Sequence, residues 1–295
     1  MPVYERRYRD WAGERRPPRA AVAVVARHAL ADIFAARLNL LLFVVACLPF
    51  VVFATVIWVA HSVDVLALLQ VRDPERLRTG LEGGLFFWFL MWQSSFAFLL
   101  ASFAGPGLIA PDVAHGALPL YLARPLGRTG YVAGKLAALL AVLSAVTWVP
   151  GLLLVVLEGS LSGGDWFLRH ARVPAALFVG SWIWILLLAL AALAISAWVR
   201  WRPLATGGLF ILFVVGSAFG GVINATLDTR WGKLLMAGEL VQAIWSWLFG
   251  DIVLFGRHWP QDPLPLAVCW LALGVFAALA LAVLHRRIRA LEVVR

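Results

Sequence analysis

Six stretches of this chain run for 21 to 25 residues without a single Asp, Glu, Lys or Arg: 38–60, 83–104, 136–157, 174–198, 204–224 and 264–284. An α-helix needs about 20 apolar residues to cross a hydrocarbon core, and within that core a helix satisfies its own backbone hydrogen bonds. The runs are unbroken and do not alternate, so they do not read as lipid-facing barrel strands. The sequence therefore predicts an all-α, polytopic membrane protein with six transmembrane helices. Only 14% of its 295 residues are charged and 62% are hydrophobic, against about 25% charged in a soluble domain. That balance excludes a soluble enzyme, a disordered chain and a disulfide scaffold.

Pro49 and Pro150 fall inside the first and third runs and are expected to kink those helices without ending them. The fifth run, LATGGLFILFVVGSAFGGVIN, is rich in glycine. Its Gly216 and Gly220 form a small-xxx-small pair suited to close helix contact, within the subunit or between subunits. Cys47 and Cys269 both lie in apolar runs and read as packed thiols, not as a disulfide or a metal cage.

The chain divides into three parts. Residues 1–37 form a cytoplasmic lead followed by a helix over 20–37, which Arg27, His28, Asp32 and Arg37 make too polar to span and which suits an interfacial position. No cleavable signal pattern precedes it. Residues 38–284 are the six-span domain, and 285–295 are a basic tail. Between the last two spans, 233–255 is apolar but carries Glu239, Gln242, Gly250 and Asp251. It is expected to be a re-entrant or interfacial helical segment on the outer side.

Charge sets the orientation. With six crossings, one side holds 1–37, 105–135, 199–203 and 285–295, with 17 basic and 6 acidic residues. The other side holds 61–82, 158–173 and 225–263, with 8 basic and 10 acidic residues. The nets of +11 and −2 account for the overall +9. The positive-inside rule then predicts that both termini lie in the cytoplasm. Topology thus absorbs the basic excess, and nucleic acid is not an expected partner.

Several chemistries are missing. No run carries a formal charge, whereas ion-coupled transporters usually place ionisable groups there. GRTGYVAGKL, residues 127–136, lacks the Gly and the Ser/Thr of a phosphate-binding loop and leads into a span. Its Lys135 is expected to snorkel at the inner surface. Asp112 and His115 could share a helix face, but no third group completes a metal or acid–base site. A polar surface for another protein is the simpler reading. His61, His170 and His258 fall in outer loops among aromatic and Arg neighbours and read as interface anchors. Gln93, Ser94 and Ser95 lie near the middle of the second run. They are candidates for a substrate path or for hydrogen bonds to a neighbouring helix.

The loop joining the second and third runs is the most informative segment: GPGLIAPDVAHGALPLYLARPLGRTGYVAGKLAALL, residues 105–140. Pro111 is placed to start a short helix, Asp112 suits its N-terminal end, and Pro119 stops it after about two turns. A rigid helix held under the membrane between two spans suits transmission of force from a cytosolic partner.

Ile109-Ala110, Asp112, Gly116-Ala117-Leu118, Arg124-Pro125, Arg128, Tyr131 and Gly134-Lys135 follow one another in an order that resembles the ABC-2 type permeases, the membrane subunits of ATP-binding-cassette exporters. Two departures are Ala117 in place of Thr and Pro111-Asp112 where an acidic pair is common. The resemblance extends to the plan of an N-terminal interfacial helix, six spans and an apolar segment between the last two. It implies a half-transporter that pairs with a second permease subunit, as a homodimer, and docks a separate nucleotide-binding ATPase. ATP and Mg would bind that partner, and no cofactor or catalytic residue is implied here. It also implies that the ATPase contacts Asp112, His115, Gly116, Leu118, Tyr121, Arg124 and Arg128. A lipid or hydrophobic compound suits the aromatic, uncharged spans as cargo. Two other readings stay open: a non-transporting complex of the same type doing mechanical or signalling work on the envelope, and a membrane-embedded lipid-modifying enzyme.

Overall fold

In the computed structural model, residues 18–68, 70, 74–116, 127–163, 165–199, 201–250, 252–254 and 257–293 are described. The side chains of residues 18–19, 74–83, 202, 253–254, 257–258 and 288–293 lie outside that description. Six helices are long and apolar enough to cross a membrane: Arg37–His61, Gly84–Ala114, Arg128–Ser162, Arg172–Trp198, Pro203–Leu227 and Leu266–Arg287. They are called spans one to six. The protein is a multi-pass, all-helical membrane protein. Among the described residues, its only ladder pairs two-residue strands, β1 (Val253–Leu254) with β2 (Arg257–His258), antiparallel.

Proline shapes the helices as expected. Span one is α2 (Arg37–Ala46) followed by α3 (Leu48–His61), broken at Cys47 two residues before Pro49. Span three is α7 (Arg128–Val146) followed by α8 (Trp148–Ser162), broken at Thr147 three residues before Pro150. A proline lacks the N–H for the carbonyl four residues back and crowds it. Each bend therefore sits just upstream of its proline.

Before span one, α1 (Pro18–Ala35) packs along the first half of α7. The close approach depends on Gly134: a Cβ there would lie 2.7 Å from Val25 Cγ1. Asn39 then closes the C-terminal end of α1 by donating from Nδ2 to Ile33 O at 2.9 Å.

After α4 (Val63–Leu68), span two comprises α5 (Pro74–Ala104) and α6 (Pro106–Ala114), which meet at Gly105. This corrects the expected helix start at Pro111. Pro106 occupies the first turn, where its missing N–H costs nothing, and Pro111 lies inside the helix.

Past α9 (Asp165–Arg169), span four is α10 (Arg172–Trp198), the hub of the bundle. Two-thirds of its apolar window is buried, 67%, against 17%, 17% and 11% for spans one, five and six. Those three present their apolar faces outward, as helices solvated by lipid do.

Span five runs through α11 (Arg202–Phe210), one π-helical stretch (Ile211–Val215) and α12 (Gly216–Leu227). A 3-10 turn at Trp231–Leu235 leads to α13 (Ala237–Phe249), and α14 (Leu266–Val293) holds span six. With 13 residues, α13 is about 20 Å long and too short to cross. That agrees with the expected non-crossing segment; Asp251 lies outside the described residues. The helix packs against spans two, four and six. Lys233 donates to Gln261 O and Asp262 O and pairs with Glu239 at 3.6 Å, which fastens the ends of this excursion together.

The glycine pair of span five serves this same excursion. A Cβ on Gly220 would lie 2.4 Å from Gly232 O, so the close contact falls within the chain, against the 3-10 turn. Both cysteines are free; Cys269 is buried, but Cys47 is exposed at the bend of span one, contrary to the expectation of two packed thiols.

Candidate functional site

Two places in the bundle bring together residues that sequence reasoning had singled out. The first is the end of span two, at α6. Its N-terminal amides need acceptors, because the first turn of any helix leaves its N–H groups without intrahelical partners. Ser196, in the last turns of span four, supplies one. Its hydroxyl oxygen accepts from Ile109 N at 3.2 Å and Ala110 N at 2.9 Å, and the hydroxyl donates to Pro106 O at 3.1 Å. Gly105 brings the two helices close enough for this: a Cβ on it would lie 2.5 Å from Ala192 Cβ.

The C-terminal half of α6 is held by span three. Asp112 Oδ2 accepts from the Tyr131 hydroxyl at 2.6 Å and pairs with Lys135 Nζ at 3.1 Å. The Lys135 ammonium also lies 5.7 Å from the centre of the Tyr131 ring. Tyr131 is fully buried and Lys135 is only 6% exposed. Lys135 therefore does not snorkel to the surface. Helix α7 begins at Arg128, two turns before the uncharged run, so Lys135 lies inside the helix and faces Asp112. The Asp112 carboxylate is likewise already paired within the chain. His115 does not join it, because its Nδ1 bonds to Pro111 O at 2.8 Å instead.

Gly116 follows α6 with φ +65, a left-handed conformation that glycine adopts without strain, and turns the chain out of the helix. Arg128, at the start of α7, opens the return. Leu118, Tyr121 and Arg124 lie outside the described residues. Thus α6 is clamped at one end to span four and at the other to span three, and the connection 115–127 leaves from the clamp.

The second place is a groove of about 390 Å³ between spans two, four and five and α13. Its aromatic wall is a chain of edge-on rings. Phe98 meets Phe213 at 5.6 Å, Phe213 meets Trp184 at 5.7 Å, and Trp184 meets Trp245 at 6.4 Å. Such T-shaped pairs add about 0.5–1.5 kcal/mol each beyond their burial and hold one another rigid. The indole N–H groups are tied back to the backbone, Trp184 to Ser94 O and Trp245 to Gly180 O. Polar groups enter the groove from Ser94, Ser95, Ser217 and Gln242. Ser94 and Ser217 donate to carbonyls of their own helices, Met91 O and Phe213 O. The lining contains no formally charged side chain.

Of the three polar residues proposed for a path, then, Ser94 and Ser95 line the groove and Gln93 does not. Gln93 is fully buried and donates from Nε2 to Ala46 O at 2.7 Å. That carbonyl is the last of α2, next to the bend at Cys47, so Gln93 ties span two to the kink of span one. The residues that sequence reasoning missed are Ser196, whose partners are 86 to 90 positions away, and the groove-lining Trp184, Phe213 and Trp245. The three aromatics gave no signal beyond their aromatic character, which every span shares.

No known family model matches the chain, and no curated protein matches it.

Proposed function

We propose that this chain is the transmembrane subunit of an ABC-2 type exporter. In this reading it moves a lipid or other hydrophobic compound across the cytoplasmic membrane of a bacterium, with both termini on the cytoplasmic side. ATP hydrolysis occurs on a separate nucleotide-binding subunit, which docks on the 112–128 region, and the chain works as a pair of copies.

The observation that carries the reading is the double clamp on α6. A partner pushing on the connection 115–127 would move α6, and α6 cannot move without spans three and four because Ser196, Tyr131 and Lys135 hold it to them. Six of the positions that carry the family resemblance, Ile109, Ala110, Asp112, Tyr131, Gly134 and Lys135, fall at this junction or where α1 packs on it. The uncharged aromatic groove beside span four is a fitting contact for an apolar cargo. Coupling follows if the ATPase binds the two arrangements of the spans with different affinity.

Purification of the tagged chain from native membranes tests the reading, with the co-purifying proteins identified by mass spectrometry. A nucleotide-binding ATPase is the expected partner, and a preparation that repeatedly contains none would refute the reading. Reporters fused at the two termini should both read cytoplasmic, and one inserted at residue 258 should read outside. Ser95→Trp, which fills the groove, should abolish export while leaving the ATPase bound.

A further inference from the structure

A second polar cluster lies at the opposite end of the bundle from α6, where spans one and three end. His61 is the last residue of α3, and Glu158 and Ser162 occupy the last turn of α8. His61 Nδ1 bonds to Ile57 O at 2.9 Å, and its Nε2 lies 3.0 Å from Ser162 Oγ. The Ser162 hydroxyl donates to Glu158 Oε1 at 2.7 Å, and Glu158 Oε1 is 3.6 Å from His61 Nε2. The side chains of His61 and Glu158 are each only 10% exposed.

The arrangement is not a hydrolase triad. In such a triad the acid orients the imidazole through Nδ1, whereas here Nδ1 faces a backbone carbonyl and the acid faces the serine. What the distances do fix is the proton count. A carbonyl only accepts, so Nδ1 carries a hydrogen. The serine has one hydroxyl proton and two neighbours within hydrogen-bond distance. If that proton goes to the carboxylate, Nε2 must donate to Oγ, and the ring is an imidazolium facing a carboxylate. If it goes to a bare Nε2, the carboxyl must itself be protonated and donate to Oγ. Both forms hold the same number of protons and are electrically neutral overall. With one proton fewer, Oγ faces two acceptors with a single hydrogen, and one of the two contacts must open.

We propose that His61, Ser162 and Glu158 form a proton-bridged clasp that holds spans one and three together at this end and releases them when the shared proton is lost to solvent. The clasp lies beside an apolar cluster, distinct from the main one, which contains Ile57, Leu154, Val155 and Trp166. Loosening it would free the end of span one from span three without disturbing the main core. Two helix C-termini converge on the ring, and their partial negative charge suits a cation.

The other charged groups on neighbouring elements at this end are Asp64 on α4, Asp165, Arg169 and His170 on α9 and just after it, and Arg172 at the start of span four, whose guanidinium donates to Trp247 O. The side chains of Glu75, Arg76, Arg78 and Glu82 on α5 lie outside the described residues. His170 stacks on Trp166 with ring centres 4.7 Å apart and is the histidine to control for. The inference is independent of what the bundle carries.

The test is a distance measurement on the full chain in lipid nanodiscs. Spin labels at Val63→Cys and Leu161→Cys, both exposed positions, are placed in a background with Cys47→Ser and Cys269→Ala. The unmodified clasp should give one narrow distance at about pH 5 and a longer, broader distribution at about pH 9. Glu158→Gln should stay narrow at both. Its amide can donate to Oγ while the hydroxyl donates to a bare Nε2, or accept from the hydroxyl when the ring is charged. His61→Ala should be broad at both, and His170→Gln should respond like the parent. An unchanged parent distance would overturn the clasp. So would a parent-like response in Glu158→Gln, a narrow distribution in His61→Ala, or loss of the response in His170→Gln.

Discussion

Removing one partner of the Asp112–Lys135 pair should destabilise the protein far more than removing both. At 3.1 Å, with an effective dielectric of about 20, the two charges attract by about 5 kcal/mol before desolvation is subtracted. Burying them offsets most of that gain, so the intact pair contributes little net stability. A lone buried charge loses the attraction and keeps the desolvation cost, typically about 3–5 kcal/mol. The two single variants should differ. Asp112→Leu strands an ammonium whose side chain is 7% exposed, while Lys135→Met strands a carboxylate that is 17% exposed and keeps its Tyr131 bond. Asp112→Leu should therefore cost about 3 kcal/mol and Lys135→Met about 2 kcal/mol, with the double variant at about 1 kcal/mol or less. Reversible unfolding in mixed detergent–SDS micelles, followed by tryptophan fluorescence, reads all four proteins on one scale. A double variant that costs the sum of the singles would show that the groups are not coupled, and the clamp on α6 would then have no ionic half.

The same unfolding assay reads three further variants. Ser196→Ala removes the acceptor for two amides of α6 and should cost about 1–2 kcal/mol; a change within error would mean that α6 is capped by something else. Gly105→Ala drives a methyl to 2.5 Å from Ala192 Cβ and should cost about 1–3 kcal/mol, with Ala192→Gly restoring part of it. Gln93→Leu leaves Ala46 O without its donor, but it also removes the buried Oε1 that has no partner, so the net cost should be about 1 kcal/mol. Loss of 3 kcal/mol or more would give Gln93 a larger part than tying span two to the kink.

The spans were legible because length and hydropathy are local properties, and lipid leaves a chain of this composition few alternatives to helices. Pro49 and Pro150 were legible for the same reason, since the lost hydrogen bond lies within one turn of the proline. The start of α6 was not. Pro106 and Pro111 are both acceptable early in a helix, and the choice depended on Ser196 and Ala192 in another span. The environment of Lys135 was misread because the uncharged run begins at residue 136, while the helix begins at Arg128 and buries everything on its inner face. Gln93 illustrates the general difficulty. A polar residue at mid-span needs a partner, but the sequence does not say whether that partner is a cargo, a side chain of a neighbouring helix or, as here, the backbone carbonyl of Ala46, 47 positions earlier beside the bend of span one.

Span three connects the two polar clusters. Tyr131 and Lys135 near its start hold α6, and Glu158 and Ser162 at its end hold the end of span one. Between them the helix bends at Thr147, where Thr147 Oγ1 donates back to Leu143 O and Pro150 offers no N–H to the turn below. A bend of this kind is a weak point in an otherwise hydrogen-bonded rod. The His61–Glu158 contacts sit outside the main core, whereas Tyr131 is fully buried in that core together with Leu108, Ile109 and Val113 of α6. Motion imposed at α6 would therefore pass into the first half of span three as a rigid unit. How far it reaches the opposite end would depend on how stiff the Thr147 bend is and on whether the His61–Glu158 clasp is closed. The two halves of span three, α7 and α8, are in this view the elements whose relative angle distinguishes one state of the bundle from another.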